Sequence, residues 1–182
     1  MPQDLLSQGA QPIVITPGPR RSYAAVAAAF TPYATPTDII TLPGNPNTLV
    51  RLTRISLSSI QSTGGLNNWK LIKRAAANTG GTSAPLTAVP MDSGYPAAQS
   101  IPKKWTAAPT INNTLGSIAE VQLLTPASTA ANTGDTSIYL ASPLGATHAL
   151  RGATEELALN FSGAAVPSGL SIAVLLEWTE EG

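Results

Sequence analysis

The chain has 182 residues, ten basic and ten acidic side chains that cancel, one histidine and no cysteine. Zero cysteine excludes disulfides, iron–sulfur clusters, thiolate zinc sites and cysteine nucleophiles, and a balanced charge argues against a nucleic-acid binder, which needs a basic excess to displace counterions from phosphates. Ala, Thr and Ser supply more than a third of the residues beside 15 Gly and 16 Pro, yet 43% of the chain is hydrophobic, which separates it from low-complexity sequence and lets it bury a core.

Residues 1–20 read as an extended N-terminal arm. Pro2, Pro12, Pro17 and Pro19 hold the backbone extended and remove amide donors. Between them, Pro12-Ile13-Val14-Ile15-Thr16 is a β-branched run, too short to fold alone but suited to adding to a sheet edge. The start Met1-Pro2-Gln3-Asp4-Leu5-Leu6 lacks the basic segment and apolar core of a signal peptide. No stretch approaches about 18 consecutive apolar residues, so no membrane partner is expected and synthesis in a cytoplasm is.

Strand signals recur over 21–182, which reads as one β-sandwich domain. Residues 22–30 are rich in small side chains, and their proline-bounded setting favours a strand. Asp38-Ile39-Ile40-Thr41-Leu42 ends at the turn cluster Pro43-Gly44-Asn45-Pro46. Over 49–60, Leu49, Thr53, Ile55 and Leu57 share one parity while Val50 and Leu52 break it, which predicts a bulge or a second buried face near Thr53. Gly64-Gly65 turns the chain, and 68–75 returns with Trp69 and Leu71 opposite Lys70.

From 76 to 102 no strand pattern holds, and Pro85, Pro90, Pro96 and Pro102 interrupt any ladder. A loop this long usually serves binding or is disordered. Leu86, Val89, Met91 and Tyr95 lie in a frame of Pro and Gly, so the segment either docks on another surface or folds over its own sandwich.

Further strands are predicted at 118–125, 136–140 and 148–151. Residues 155–161 place Leu157, Leu159 and Phe161 on one face, and 170–179 place Ile172, Val174, Leu176 and Trp178 on one face. About nine strands and no convincing amphipathic helix make an all-β, antiparallel β-sandwich of jelly-roll type, with a closed barrel as the alternative.

Reactive groups are sparse. His148 is the only imidazole, it sits in a strand-like stretch, and a structural role is expected of it. No Gly-x-Ser-x-Gly elbow, zinc tetrad, calcium loop or P-loop is present. Glu155 and Glu156 are adjacent and point to opposite faces of a strand. A carboxylate pair such as Glu120 with Glu177 could be assembled only by the fold. Lys70, Lys73 and Arg74 beside Trp69 read as a solvated strand face rather than a base-stacking patch. No catalytic residue, cofactor or metal is assigned, and the chain is expected not to be an enzyme. Charge is unevenly spread: residues 1–116 hold nine bases and three acids, a net of +6, and residues 117–182 hold one base and seven acids, a net of −6. This pairs basic strands with acidic ones inside the sandwich or presents opposite patches to neighbouring copies.

Several stretches carry a resemblance. They are Leu52-Thr53-Arg54-Ile55-Ser56-Leu57, the pair Trp69-Lys70-Leu71-Ile72-Lys73-Arg74 and Asn78-Thr79-Gly80-Gly81-Thr82, and Ala88-Val89-Pro90-Met91-Asp92-Ser93. With Leu150-Arg151-Gly152-Ala153-Thr154-Glu155-Glu156-Leu157-Ala158-Leu159-Asn160 and Glu177-Trp178-Thr179-Glu180-Glu181, they span about 48–181 and leave the arm outside. This style resembles the β-rich virion structural proteins of tailed bacteriophages. The resemblance implies a virion location after synthesis in the host cytoplasm and, by analogy, a capsid decoration (cement) protein. Its partners would be the major capsid protein or other virion proteins, with self-association as a trimer ahead of a dimer. It transfers no functional residue. The expected interface is Pro12, Ile13, Val14 and Ile15 from the arm with Leu86, Val89, Met91 and Tyr95 from the long loop. A neck, tail or fibre-base component is the first alternative. A carbohydrate-binding sandwich is the second, and it would need exposed aromatics in a groove.

Overall fold

Alternating apolar and small polar residues build strands β1 (Arg20–Phe30), β2 (Asp38–Pro43), β3 (Leu49–Ile60) and β4 (Gly65–Arg74). The middle of the chain adds β5 (Thr82–Pro85), β6 (Ala88–Pro90), β7 (Lys103–Ala107) and β8 (Thr114–Thr125). The last four are β9 (Gly134–Tyr139), β10 (Ala149–Leu150), β11 (Glu156–Asn160) and β12 (Ser171–Glu181). The computed structural model describes residues 20–127, 129, 134–139 and 148–182. The expected arm residues Pro12, Ile13, Val14 and Ile15 therefore lie outside the described residues. Among the described residues there is no helix, and so none long and apolar enough to cross a membrane.

Two antiparallel sheets face each other as a sandwich rather than closing into a barrel. One runs β10-β3-β12-β1-β6, with β9 following β10 along the same edge of β3; the other runs β5-β7-β2-β11-β4-β8. Strands β1 to β4 alternate between the sheets, and the chain crosses between them again from β8 to β12, so most ladders join residues far apart in sequence. β12 is central in the first sheet, paired to β1 on one side and β3 on the other. Its burial alternates strictly, with Ile172, Val174, Leu176 and Trp178 inside. They meet Leu42, Trp69, Leu71, Leu157 and Leu159 of the opposite sheet in one apolar cluster. Each such fully buried aliphatic side chain stabilises the fold by about 1.5–3 kcal/mol. Trp69 packs edge-on to Phe161 at 4.7 Å, and Tyr23 stacks on Trp178 at 5.8 Å.

The predicted bulge lies at Thr53. Leu52 pairs with Trp178 and Arg54 with Glu177, so Thr53 is the extra residue, and inward parity switches from Val50 and Leu52 to Ile55 and Leu57. That switch is why both sets of aliphatics are buried in one strand.

The 76–102 segment differs from its expectation as an unstructured loop. It holds two short strands, β5 and β6, and continues into β7. Its prolines are compatible with pairing because β5 and β6 are edge strands, and Pro85 and Pro90 are their last residues. β6 extends the first sheet past β1, and the β5–β7 pair extends the second past β2. The segment thus lies on its own sandwich.

Much of the uneven charge is paired within the subunit. Arg20 and Arg51 meet Glu181, Arg54 meets Glu177, Lys70 meets Glu120 and Lys73 meets Glu155, all at 3.0–3.4 Å. Each pair joins a base from the first 116 residues to an acid from the remainder.

Candidate contact surface

The long segment is anchored by polar groups that strand periodicity does not reveal. Glu180, buried in β12, accepts hydrogen bonds from the backbone N–H of Gln99 (3.0 Å) and Ser100 (2.8 Å) and from Trp178 Nε1 (3.2 Å). Ser100 Oγ donates to the Pro43 carbonyl. Trp105 is buried and donates its indole N–H to Thr41 Oγ1 of β2 at 3.2 Å. Leu86 enters the core cluster.

Beneath the start of this segment is a buried polar network. Asp38 of β2 accepts from Arg74 of β4, from Asn78 Nδ2 (2.6 Å) and from Asn160 Nδ2 of β11 (2.7 Å). The Asn78 backbone N–H donates to Glu156 Oε1 at 2.6 Å. Burial pushes the Glu156 carboxyl above the usual carboxylate range, the Asn78 N–H opposes that shift, and the nearby Asp38 carboxylate adds to it. β11 is accordingly buried on both faces: Leu157 and Leu159 face the apolar cluster, while Glu156, Ala158 and Asn160 lie under the long segment. Both carboxylates are sealed from solvent, so the network is a clasp between layers rather than a place where substrate meets an acid.

The segment's outer side is different. Val89 of β6 pairs with Ala24 of β1, and Val26 pairs with Leu175 of β12, so these side chains share the outward face of the first sheet. Met91 continues that row, its N–H bonded to the Ser22 carbonyl. Val26, Val89 and Met91 are each more than half exposed. Tyr95 is half-buried, its ring tilted against Tyr23 at 6.5 Å and its hydroxyl donating to the Arg20 carbonyl at 3.4 Å. Arg20 is also where the chain from 1–19 joins β1. Of the eight expected interface residues, then, Val89 and Met91 stand on an exposed apolar row and Tyr95 braces its end. Leu86 is buried in the core cluster and so unavailable for contact, and the four arm residues lie outside the described residues. Val26 was missed because a lone Val in an alanine-rich strand gives no parity signal.

The other candidates are dispersed or sealed. Glu120 and Glu177 sit on different sheets, each in its own ion pair. Lys70, Lys73 and Arg74 are all paired with acids, and Trp69 is buried. Trp69, Trp105, Trp178 and Tyr23 are all buried, so none of them offers a ring face to a sugar. His148 is half-buried immediately before β10. Among the described residues, no three His, Cys, Asp or Glu side chains gather where they could hold a metal ion.

No protein-family model matches the chain, and neither a curated protein nor a solved structure is significantly similar to it.

Proposed function

We propose that this chain is a non-enzymatic structural protein of a tailed-phage virion, a capsid decoration protein of jelly-roll type that acts by surface contact. The jelly-roll reading is supported by the strand order, with β1-β12-β3-β9 in one sheet, β2-β11-β4-β8 in the other, and β5, β6 and β7 as an insertion between β4 and β8. The contact reading is carried by one observation. Val26, Val89 and Met91 form an exposed apolar row on a rigid sheet face, ending beside the point where the arm joins β1. Aliphatic side chains held this way gain free energy when another surface covers them. The arm and the row together make a two-part contact, in which the first engagement raises the effective concentration of the second.

The test is co-sedimentation of the purified chain with phage heads that lack it. The parent should bind, and Val26→Asp with Met91→Asp should weaken binding by about tenfold or more, since each buries a charge in the contact. Full binding by that variant, or no binding by the parent to any part of the particle, overturns the proposal. Gold labelling separates a lattice position from the neck or tail, where the same surface would serve a different neighbour.

A further inference from the structure

The longest open strand edge among the described residues belongs to β8. It pairs with β4 on one side, and no described strand is hydrogen-bonded to it on the other. Register shifts opposite Ile72 and Arg74 interrupt its first half, which leaves 119–125 as a regular stretch whose second edge has no ladder to any described strand. The devices that usually blunt such an edge are missing there. The stretch has no proline and no lysine, and its one charge, Glu120, faces Lys70 at 3.4 Å. Leu124 and its cross-strand partner Leu66 stand 64% and 65% exposed beside the edge. The edges of β5 and β6, by contrast, span four and three residues and end in proline.

Such an edge accepts one more extended strand. The run 12–16 has the chemistry for it: Ile13, Val14 and Ile15 favour strands, and Pro12 and Pro17 stop the pairing from propagating. Tether length decides whose edge it takes. Only four peptide steps join Thr16 to Arg20, a reach of about 14 Å. Arg20 lies opposite Glu181, which lies opposite Leu49 at the start of β3. Thr125 instead bonds Ser59 at 2.9 Å near the end of β3, about 33 Å along that strand. Ala119, at the near end of the stretch, is still about 20 Å from Arg20 once strand and sheet spacings are added. The run does not reach its own β8.

We propose that residues 12–16 of one copy add as a strand to the β8 edge of a second copy, alongside Leu66 and Leu124, so that copies are linked by exchanged arms. This rests on the reading of 1–20 as a contact arm, but it requires no virion partner.

The absence of cysteine makes cross-linking a clean test. Full-length chain carrying Ile15→Cys is mixed in turn with full-length Glu120→Cys, Gln122→Cys or Leu124→Cys, which samples the register, and is oxidised gently. The expected result is a disulfide-linked heterodimer in at least one mixture, at least tenfold above either variant alone. Absence of that product in all three mixtures overturns the proposal. Self-cross-linking of Gln122→Cys alone also overturns it, by placing a second β8 on the edge. Because Glu120, Gln122 and Leu124 are exposed, each variant should keep the parent's circular dichroism and melting curve. As a second measurement free of cysteine, Leu124→Lys should drop the parent's oligomeric mass in light scattering to that of a monomer, and a parent already monomeric at tens of micromolar refutes the model of exchange. Loss of shell binding with the cross-link intact would sink the virion reading alone, and the reverse result would sink only the exchange.

Discussion

Arg74 and Asp38 form a bidentate ion pair out of reach of solvent, with Nη2 to Oδ1 at 2.7 Å, Nε to Oδ2 at 3.1 Å, and side chains 4% and 0% exposed. The two residues belong to β4 and β2, with β11 between them. Arg74 is in register with Glu156 and Asp38 with Asn160, so the guanidinium reaches diagonally across β11 on the face where the small Ala158 lies. Arg74 Nη1 also donates to Thr114 Oγ1 at the start of β8. One side chain thereby ties three strands to the polar clasp.

Removing one partner of this pair leaves the other charge buried and uncompensated. Arg74→Leu is expected to cost about 3–5 kcal/mol, and Asp38→Leu a similar amount. The double variant should cost clearly less than the two singles combined, because it leaves no orphaned charge. Chemical denaturation midpoints measure all three; strict additivity would show that the pair contributes nothing as a pair.

Glu156 sets a pH dependence. Its carboxyl is raised above the ordinary value of 4.5, chiefly by burial, so folding favours its protonated form. The stability it contributes is fully present below the unfolded-state value and is lost as pH rises through the folded-state value. Glu156→Gln keeps an acceptor for the Asn78 N–H and cannot ionise. The variant should be more stable than the parent near about pH 7, and the two should converge as pH falls below about 4. Urea titrations across that range check the sign, and a variant less stable at neutral pH would contradict it.

Glu180 holds the long segment down. Glu180→Ala strands the N–H groups of Gln99 and Ser100 and the indole N–H of Trp178, at a cost of about 2 kcal/mol or more. The effect should be local first. Limited proteolysis should cut within 91–99 before the β12 region opens, with mass spectrometry locating the cuts. Unchanged protection would mean that Leu86 and Trp105 hold the segment without the carboxylate.

Gly169 has a sharper requirement. Its φ is +69°, and a Cβ there would collide with Ser62 Oγ and lie 3.1 Å from the Ser62 nitrogen. Gly169→Ala should destabilise the chain by about 1–3 kcal/mol, read as a lowered thermal midpoint. An unaltered midpoint would show that the β11–β12 turn relaxes freely.

Periodicity alone was enough to find the all-β architecture. β12 reads directly from Ile172, Val174, Leu176 and Trp178, because a strand with one face inward must alternate. The parity break at Val50 and Leu52 likewise announced a bulge or a second buried face, and the ladder to β12 decided for the bulge at Thr53. The chain's local pattern could not reveal that β11 is buried on both faces, since what covers Glu156, Ala158 and Asn160 arrives from a segment some eighty residues upstream. Nor could it show whether Leu86 faces core or solvent, or that a lone Val26 would share an exposed face with Val89, the cross-strand partner of Ala24. Strand parity is local physics, written into neighbouring residues. Which face meets solvent depends on what else folds over it, and only the tertiary structure decided that.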